Sequence, residues 1–142
     1  MPARLTKEEA HEFLDSRPGW LILTTIGRGG YPHSIPIGYF RLGDEIYVGG
    51  RAGTQRAKNI ERNPKVSALV ESGGTMQEIK GLMIQGDASL ITDPDEVLRL
   101  MRVAATRRGT PEQQLPTEVR PGVAYIRILP RRYVSWDYSR EG

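Results

Sequence analysis

The stretch from Lys80 to Thr92 constrains the fold most, because its residues alternate strictly: Leu82, Ile84, Gly86, Ala88 and Leu90 fall on one side and Met83, Gln85, Asp87, Ser89 and Ile91 on the other. A period of two over this length is a strand with one face turned to a core. Gly86 and Ala88, small residues on the apolar side, predict a close backbone neighbour or a bend at a barrel corner.

The remaining β-prone runs are shorter and bounded by turn residues. Trp20 to Ile26 stops at Gly27-Arg28-Gly29-Gly30, and Tyr31 to Phe40 is again extended, so the pair predicts an antiparallel hairpin. Pro32 and Pro36 cannot donate to a ladder, which marks the second run as an edge or interrupted strand. Gly43-Asp44 turns into a third strand, Glu45 to Val48, while Lys65 to Glu71 and Val123 to Leu129 complete the set.

Three helices are expected. Thr6 and Glu9 form a capping box for Thr6 to Ser16, with Ala10, Phe13 and Leu14 as its apolar stripe. Thr54 caps a helix that runs to about Arg62 and ends at Asn63-Pro64. Asp93 to about Arg107 carries acids early and bases late, with Val97, Leu98, Met101 and Ala105 as its stripe. Thr110 to Pro121, polar and holding three prolines, reads as a mobile loop. About six strands, mostly joined as hairpins, with few helices, fit a small antiparallel barrel better than a parallel sheet.

The 142 residues fit one domain. The chain has no Cys and only His11 and His33, so no thiol chemistry is possible and no metal site is expected. His11 lies on the polar side of the first helix and is read as inert. No signal-peptide pattern and no apolar run near the roughly 18 residues of a membrane span are present, and a cytosolic protein without a membrane partner is expected. The net charge of +3 comes from clusters at Arg51 to Lys65, Arg99 to Arg108 and Arg131 to Arg132. That surplus suits an anionic ligand, but no nucleic-acid motif accompanies it.

The run from Arg51 to Val70 combines a Gly-rich approach (Gly49, Gly50, Gly53), the Thr54 hydroxyl and the bases Arg51, Arg56, Lys58 and Arg62. Glycine admits a ligand close to the backbone, a helix N-terminus offers N–H groups, and Arg grips phosphate with a fork. The same pattern also serves a short helix with basic residues on a wet face.

The spellings L-T-T-I-G-R-G-G-Y-P-H-S-I-P-I, G-T-Q-R-A-K-N-I-E-R-N-P-K-V-S, L-M-I-Q-G-D-A-S-L-I and Y-V-S-W-D, in this order, resemble the pyridoxamine 5′-phosphate oxidase-like family. More narrowly, they resemble its small single-domain actinobacterial branch of flavin- and deazaflavin-dependent oxidoreductases. The resemblance implies a mainly β fold with short helices, the six-stranded antiparallel split β-barrel of Greek-key type that binds FMN. It also implies homodimers with cofactor sites at the interface.

In that family a hydroxyl and a base hold the cofactor phosphate in a pattern like S-x-K-x-x-N-x-x-x-x-P. Here the matching residues are Thr54, Arg56, Asn59 and Pro64, with Gln55 and Arg51 in the same contact set. Arg replaces the usual Lys, which keeps the charge and adds a planar fork. The resemblance further implies that His33, Ser34, Ile35 and Pro36 meet the ring, and that Gly49 and Gly50 lie along the phosphate side of the cofactor.

The implied activity is hydride transfer between bound coenzyme F420, an 8-hydroxy-5-deazaflavin, or FMN and a small organic substrate. No residue identifies itself as a proton donor. A non-catalytic protein that stores a flavin or a tetrapyrrole is the alternative, with haem disfavoured by the shortage of His. Trp136 and Tyr138 are expected to pack on the barrel rather than to line a pocket.

Overall fold

The computed structural model describes residues 1–141. Its strands are β1 (Pro2–Ala3), β2 (Leu21–Ile26), β3 (Pro32–Ile37), β4 (Tyr39–Leu42), β5 (Glu45–Arg51), β6 (Lys65–Ser72), β7 (Lys80–Ile91) and β8 (Val123–Glu141). The helices are α1 (Lys7–Ser16), α2 (Gln55–Arg62) and α3 (Pro94–Arg107), with a 3₁₀ turn at Glu112–Gln114 inside the segment expected as a loop.

All pairings are antiparallel, in the order β3-β2-β6-β7-β8-β5-β4, with β1 on β8. The two ends of that path, β3 and β4, are consecutive in the chain with only Gly38 between them. The backbone therefore ties the two edges together and rolls the sheet into a split barrel, as the strand count led one to expect.

The strands differ from expectation in three places. The extended run from Tyr31 is divided at Gly38, because β3 pairs with β2 while β4 pairs with β5. β8 does not stop at Leu129 but continues past Pro130 to Glu141, its first part between β5 and β7 and its last part between β7 and β1. Pairing with a partner remote in sequence keeps these residues extended, and β1 exists only because β8 reaches it. Six expected strands thus become eight.

Local signals behaved as their chemistry requires. Thr6 and Glu9 form the full capping box, and Thr54 accepts from the Ala57 N–H. Pro32 and Pro36 sit in β3, an end of the strand path. Gly86 faces Pro130 at a register shift, where an added Cβ would lie 2.6 Å from the Leu129 carbonyl oxygen.

The barrel interior holds Leu21, Leu23, Ile46, Val48, Leu82, Ile84, Ile126 and Ile128, all at 3% exposure or less. Each such side chain contributes about 1.5–3 kcal/mol by leaving water. A second cluster fills the space between α3 and the outward faces of β4, β5 and β8, where Phe40, Tyr47 and Tyr125 meet Val97, Leu100 and Ala104. The buried stripe of α3 is Val97, Leu100, Ala104 and Ala105, so Leu98 and Met101, expected in it, are only half-buried. Trp136 lies over Gly81, where an added Cβ would collide with the indole, and so packs on the barrel.

Candidate functional site

At one end of the barrel, α2 is bound to the wall by a buried polar knot. Asn59, fully buried, donates to the Thr25 hydroxyl at 3.0 Å and accepts from Gln55 Nε2 at 2.7 Å and Arg62 Nη2 at 3.1 Å. Arg62 Nη2 also donates to the Ile26 carbonyl at 3.0 Å. Thr25 follows Leu21 and Leu23 on the inward face of β2, and its cross-strand partner is His33. Strand β3 and helix α2 therefore meet at this end through Thr25.

Gly50, at the end of β5, faces the same helix. Its φ of 152° is one that L side chains rarely adopt, and an added Cβ would strike Nη2 of Arg56. The missing side chain is what lets the guanidinium lie against the strand.

Among the described residues four buried side-chain nitrogens have no hydrogen-bond partner: His11 Nε2, His33 Nδ1, Arg56 Nε and Arg127 Nε. Two have a carboxylate nearby, Asp44 at 3.5 Å from His11 and Glu45 at 3.7 Å from Arg127. His33 and Arg56 have no such neighbour among the ion pairs of the described residues. A buried polar atom left unpaired costs about 1–3 kcal/mol, so these two nitrogens call for a partner that the described residues do not supply. Both belong to the cofactor set implied by the resemblance.

The other members of that set are placed unequally. Thr54 donates its hydroxyl proton to the Arg51 carbonyl at 3.0 Å and accepts from Ala57 at 3.3 Å. It offers an incoming anion no free proton unless the Arg51 bond opens, so Arg56 is the uncommitted donor. Arg51 and Gln55 are exposed at the approach to α2. Asn59 is a structural clasp, closed on all sides.

Strand alternation divides His33, Ser34, Ile35 and Pro36. Ile35 packs against the barrel core and His33 shares the face of buried Thr25, whereas Ser34 and Pro36 are exposed on the outside, Ser34 sharing a 2.8 Å hydrogen bond with Thr24. The four side chains do not converge on one surface. Gly49 and Gly50 diverge in the same way: Gly49 lines a pocket of about 370 Å³ with Ile37, Trp20, Tyr125 and Arg108, on the side away from Arg56. Burial pushes the Tyr125 hydroxyl above its ordinary pKa.

Thr25 went unremarked in the sequence. The signal was there, a hydroxyl continuing the inward register of Leu21 and Leu23, which needs a partner once buried.

Comparison with known proteins bears on the same architecture. A crystal structure of a conserved hypothetical protein from Mycobacterium tuberculosis matches with TM-score 0.81 and 28% identity over 94% of this chain and 86% of that one. An F420 reductase matches with TM-score 0.67 and 19% identity over 87% of this chain and 94% of that one. A FAD-binding protein from Mesorhizobium loti matches with TM-score 0.69 and 17% identity over 95% and 96% of the two chains. At such identities the last two likenesses concern the fold. No curated protein matches the sequence. The family model described as pyridoxamine 5′-phosphate oxidase matches residues 6–136, nearly the whole length, and the chain belongs to that family.

Proposed function

We propose that this chain is an oxidoreductase that binds a flavin-type cofactor where β5 runs into α2 and passes a hydride between it and a small organic substrate. The observation that carries the reading is the Arg56 guanidinium, laid against Gly50 with its Nε buried and unpartnered. The residues present fit a phosphorylated group: a donor without an acceptor, a glycine that clears the approach, and the N-terminal end of a helix.

A bound ring of this class supplies the hydride chemistry, and the protein supplies position, dryness and electrostatics. Arg56 would hold the phosphate, and Gly50 makes room for its guanidinium. His33 Nδ1, on the inward face of β3, is placed to hydrogen-bond a polar edge of the cofactor. Coenzyme F420 is favoured narrowly over FMN, since the basic surplus suits its longer anionic tail. The setting is cytosolic, in keeping with the absence among the described residues of any helix long and apolar enough to cross a membrane.

A homodimer is part of the proposal. Pro36, Ile22, Leu69, Met83 and Val134 are successive register partners across β3, β2, β6, β7 and β8, a row of apolar side chains at least partly exposed on the outer face of the sheet. A second copy covering that row would bury it. Light scattering at micromolar protein reads a dimer mass, and a monomer there removes this element.

The absorption spectrum of purified protein and fluorescence titrations with FMN and coenzyme F420 test the cofactor. Arg56→Ala weakens binding by about 1.5–3 kcal/mol, the scale of a hydrogen bond from a charged group. Unchanged affinity takes Arg56 out of the site, and a Soret band in place of flavin absorption overturns the assignment.

A further inference from the structure

The free edge of β4 is held by two arginines from the ends of different helices. β4 closes one end of the strand path and pairs on one side only, with β5. Along a strand, carbonyls two residues apart point the same way, and on β4 the outward pair belongs to Tyr39 and Arg41. Arg17, the C-cap of α1, donates Nη2 to the Tyr39 carbonyl at 2.8 Å. Arg107, the last residue of α3, donates Nη1 to the Arg41 carbonyl at 2.6 Å.

Between them lies a pocket of about 290 Å³ lined by Leu14, Asp15, Arg17, Phe40, Arg41 and Arg107. Leu14 and Phe40, both buried, form its floor. Asp15 is spent on Arg41, accepting from Nε at 3.0 Å and from Nη2 at 2.6 Å. Arg17 and Arg107 have no carboxylate among the ion pairs of the described residues. Three guanidiniums against one carboxylate leave the walls with a net charge of +2.

A cation at a helix C-terminus is ordinary, because the negative end of the dipole favours it. That accounts for one arginine at the end of each helix. It does not account for both being turned onto one strand edge, where a carbonyl fixes each guanidinium and neutralises none of its charge. A guanidinium carries five donors in a fixed fork, and each of these two spends one on the protein.

We propose that this pocket binds the phosphate group of a small phosphate monoester, held between Arg17 and Arg107. Two residues of strand rise set the anchoring carbonyls about 6.6 Å apart, which brings a single tetrahedral oxyanion within reach of both forks. A dianion matches the charge of the walls, and its three outer oxygens serve two arginines at once where a carboxylate offers two. Arg17 also borders the pocket that holds Gly49, whereas Arg107 does not, so Arg107 is the residue that tells the two apart. The site shares no residue with α2, with β3 or with the apolar row across the sheet, and the inference goes beyond the cofactor reading.

Calorimetric titration of phenyl phosphate into the parent and into Arg56→Ala protein tests this at about pH 8, above the second ionisation of the ester near 6. Benzoate and inorganic phosphate are the comparison arms. Phenyl phosphate is expected to bind at least tenfold more tightly than benzoate, and to do so in Arg56→Ala protein as well, which separates this site from the α2 end. Adding Arg107→Gln to either protein is expected to weaken that binding event at least tenfold with the melting temperature unchanged. Arg17→Gln is expected to act alike, and it decides the matter should Arg107→Gln melt early. The proposal is overturned by no phenyl phosphate binding, by benzoate binding as tightly, or by arginine variants that bind like the parent. Loss of the event in Arg56→Ala protein overturns it too, since the phosphate would then sit at α2, and tighter binding of inorganic phosphate than of the ester overturns the monoester.

Discussion

Two corners of this barrel are built from similar side chains and differ in whether their polar atoms are paired. Where β8 ends, Asp137, at 3% exposure, accepts from the Ser139 N–H at 3.0 Å, the Ser139 hydroxyl at 2.5 Å and Arg140 Nε at 3.0 Å. Arg140 Nη2 then reaches Glu9 at 3.1 Å and ties the strand to α1. Where β5 meets α2, Asn59 is saturated in the same manner, yet Arg56, three residues earlier on the helix, leaves its Nε without an acceptor. A saturated group holds the chain together; an unsaturated one beside it is free to hold something else.

The largest expected effect lies on the saturated side of the contrast. Asn59→Ala strands Thr25, Gln55 and Arg62 at once and should lower stability by about 3 kcal/mol in urea unfolding. A loss below about 1 kcal/mol would show that α2 is held by packing of Ile60 and Ala57 alone.

Asp137→Asn comes next, at about 2 kcal/mol near neutral pH, because three donors lose a charged acceptor. The effect carries a pH signature. The Ser139 hydroxyl, then Arg140, hold the Asp137 carboxyl below its usual value of 3.8. Its contribution is therefore complete above that value and fades as pH falls through the lowered one. Parent and variant should converge in acid, and parallel stability curves down to pH 2 would contradict the assignment.

On the unsaturated side, Gly50→Ala places a methyl group where Arg56 lies and forces the guanidinium aside. Cofactor affinity should drop about tenfold, or about 1.4 kcal/mol, in fluorescence titration. An alanine variant that binds like the parent would mean that the pose of Arg56 is irrelevant.

His11 offers the smallest effect. Burial, then Arg41, push its ring below the usual value of 6.5. Its neutral form is the folded one, so stability is complete above that value and declines as pH falls below it. His11→Asn should flatten that slope by roughly 0.5 kcal/mol at pH 5, and an unaltered slope would place the titrating group elsewhere.

Much of the fold was legible because its signals are short-ranged. Thr6 and Glu9 are three residues apart, Thr54 and Ala57 likewise, and Gly86 announced the close approach of Leu129 by its missing side chain. Less of the α2 end was legible. The motif named Thr54 and Arg56 together, but only the coordinates separate a hydroxyl spent on Arg51 from a guanidinium held in reserve. In β3 the alternation puts His33 and Ile35 on one face and Ser34 and Pro36 on the other, because neighbours in a strand face opposite sides.

What the sequence determined by itself were the caps, the turns and the alternation that makes these runs strands, since each depends on atoms a few residues apart. Only the tertiary structure decided that Thr25 meets Asn59 across 34 positions, that Pro130 carries β8 onward instead of ending it, and that His33 and Arg56 keep a nitrogen unpaired. Whether a donor finds its acceptor depends on which distant strand is brought beside it, and no local pattern encodes that.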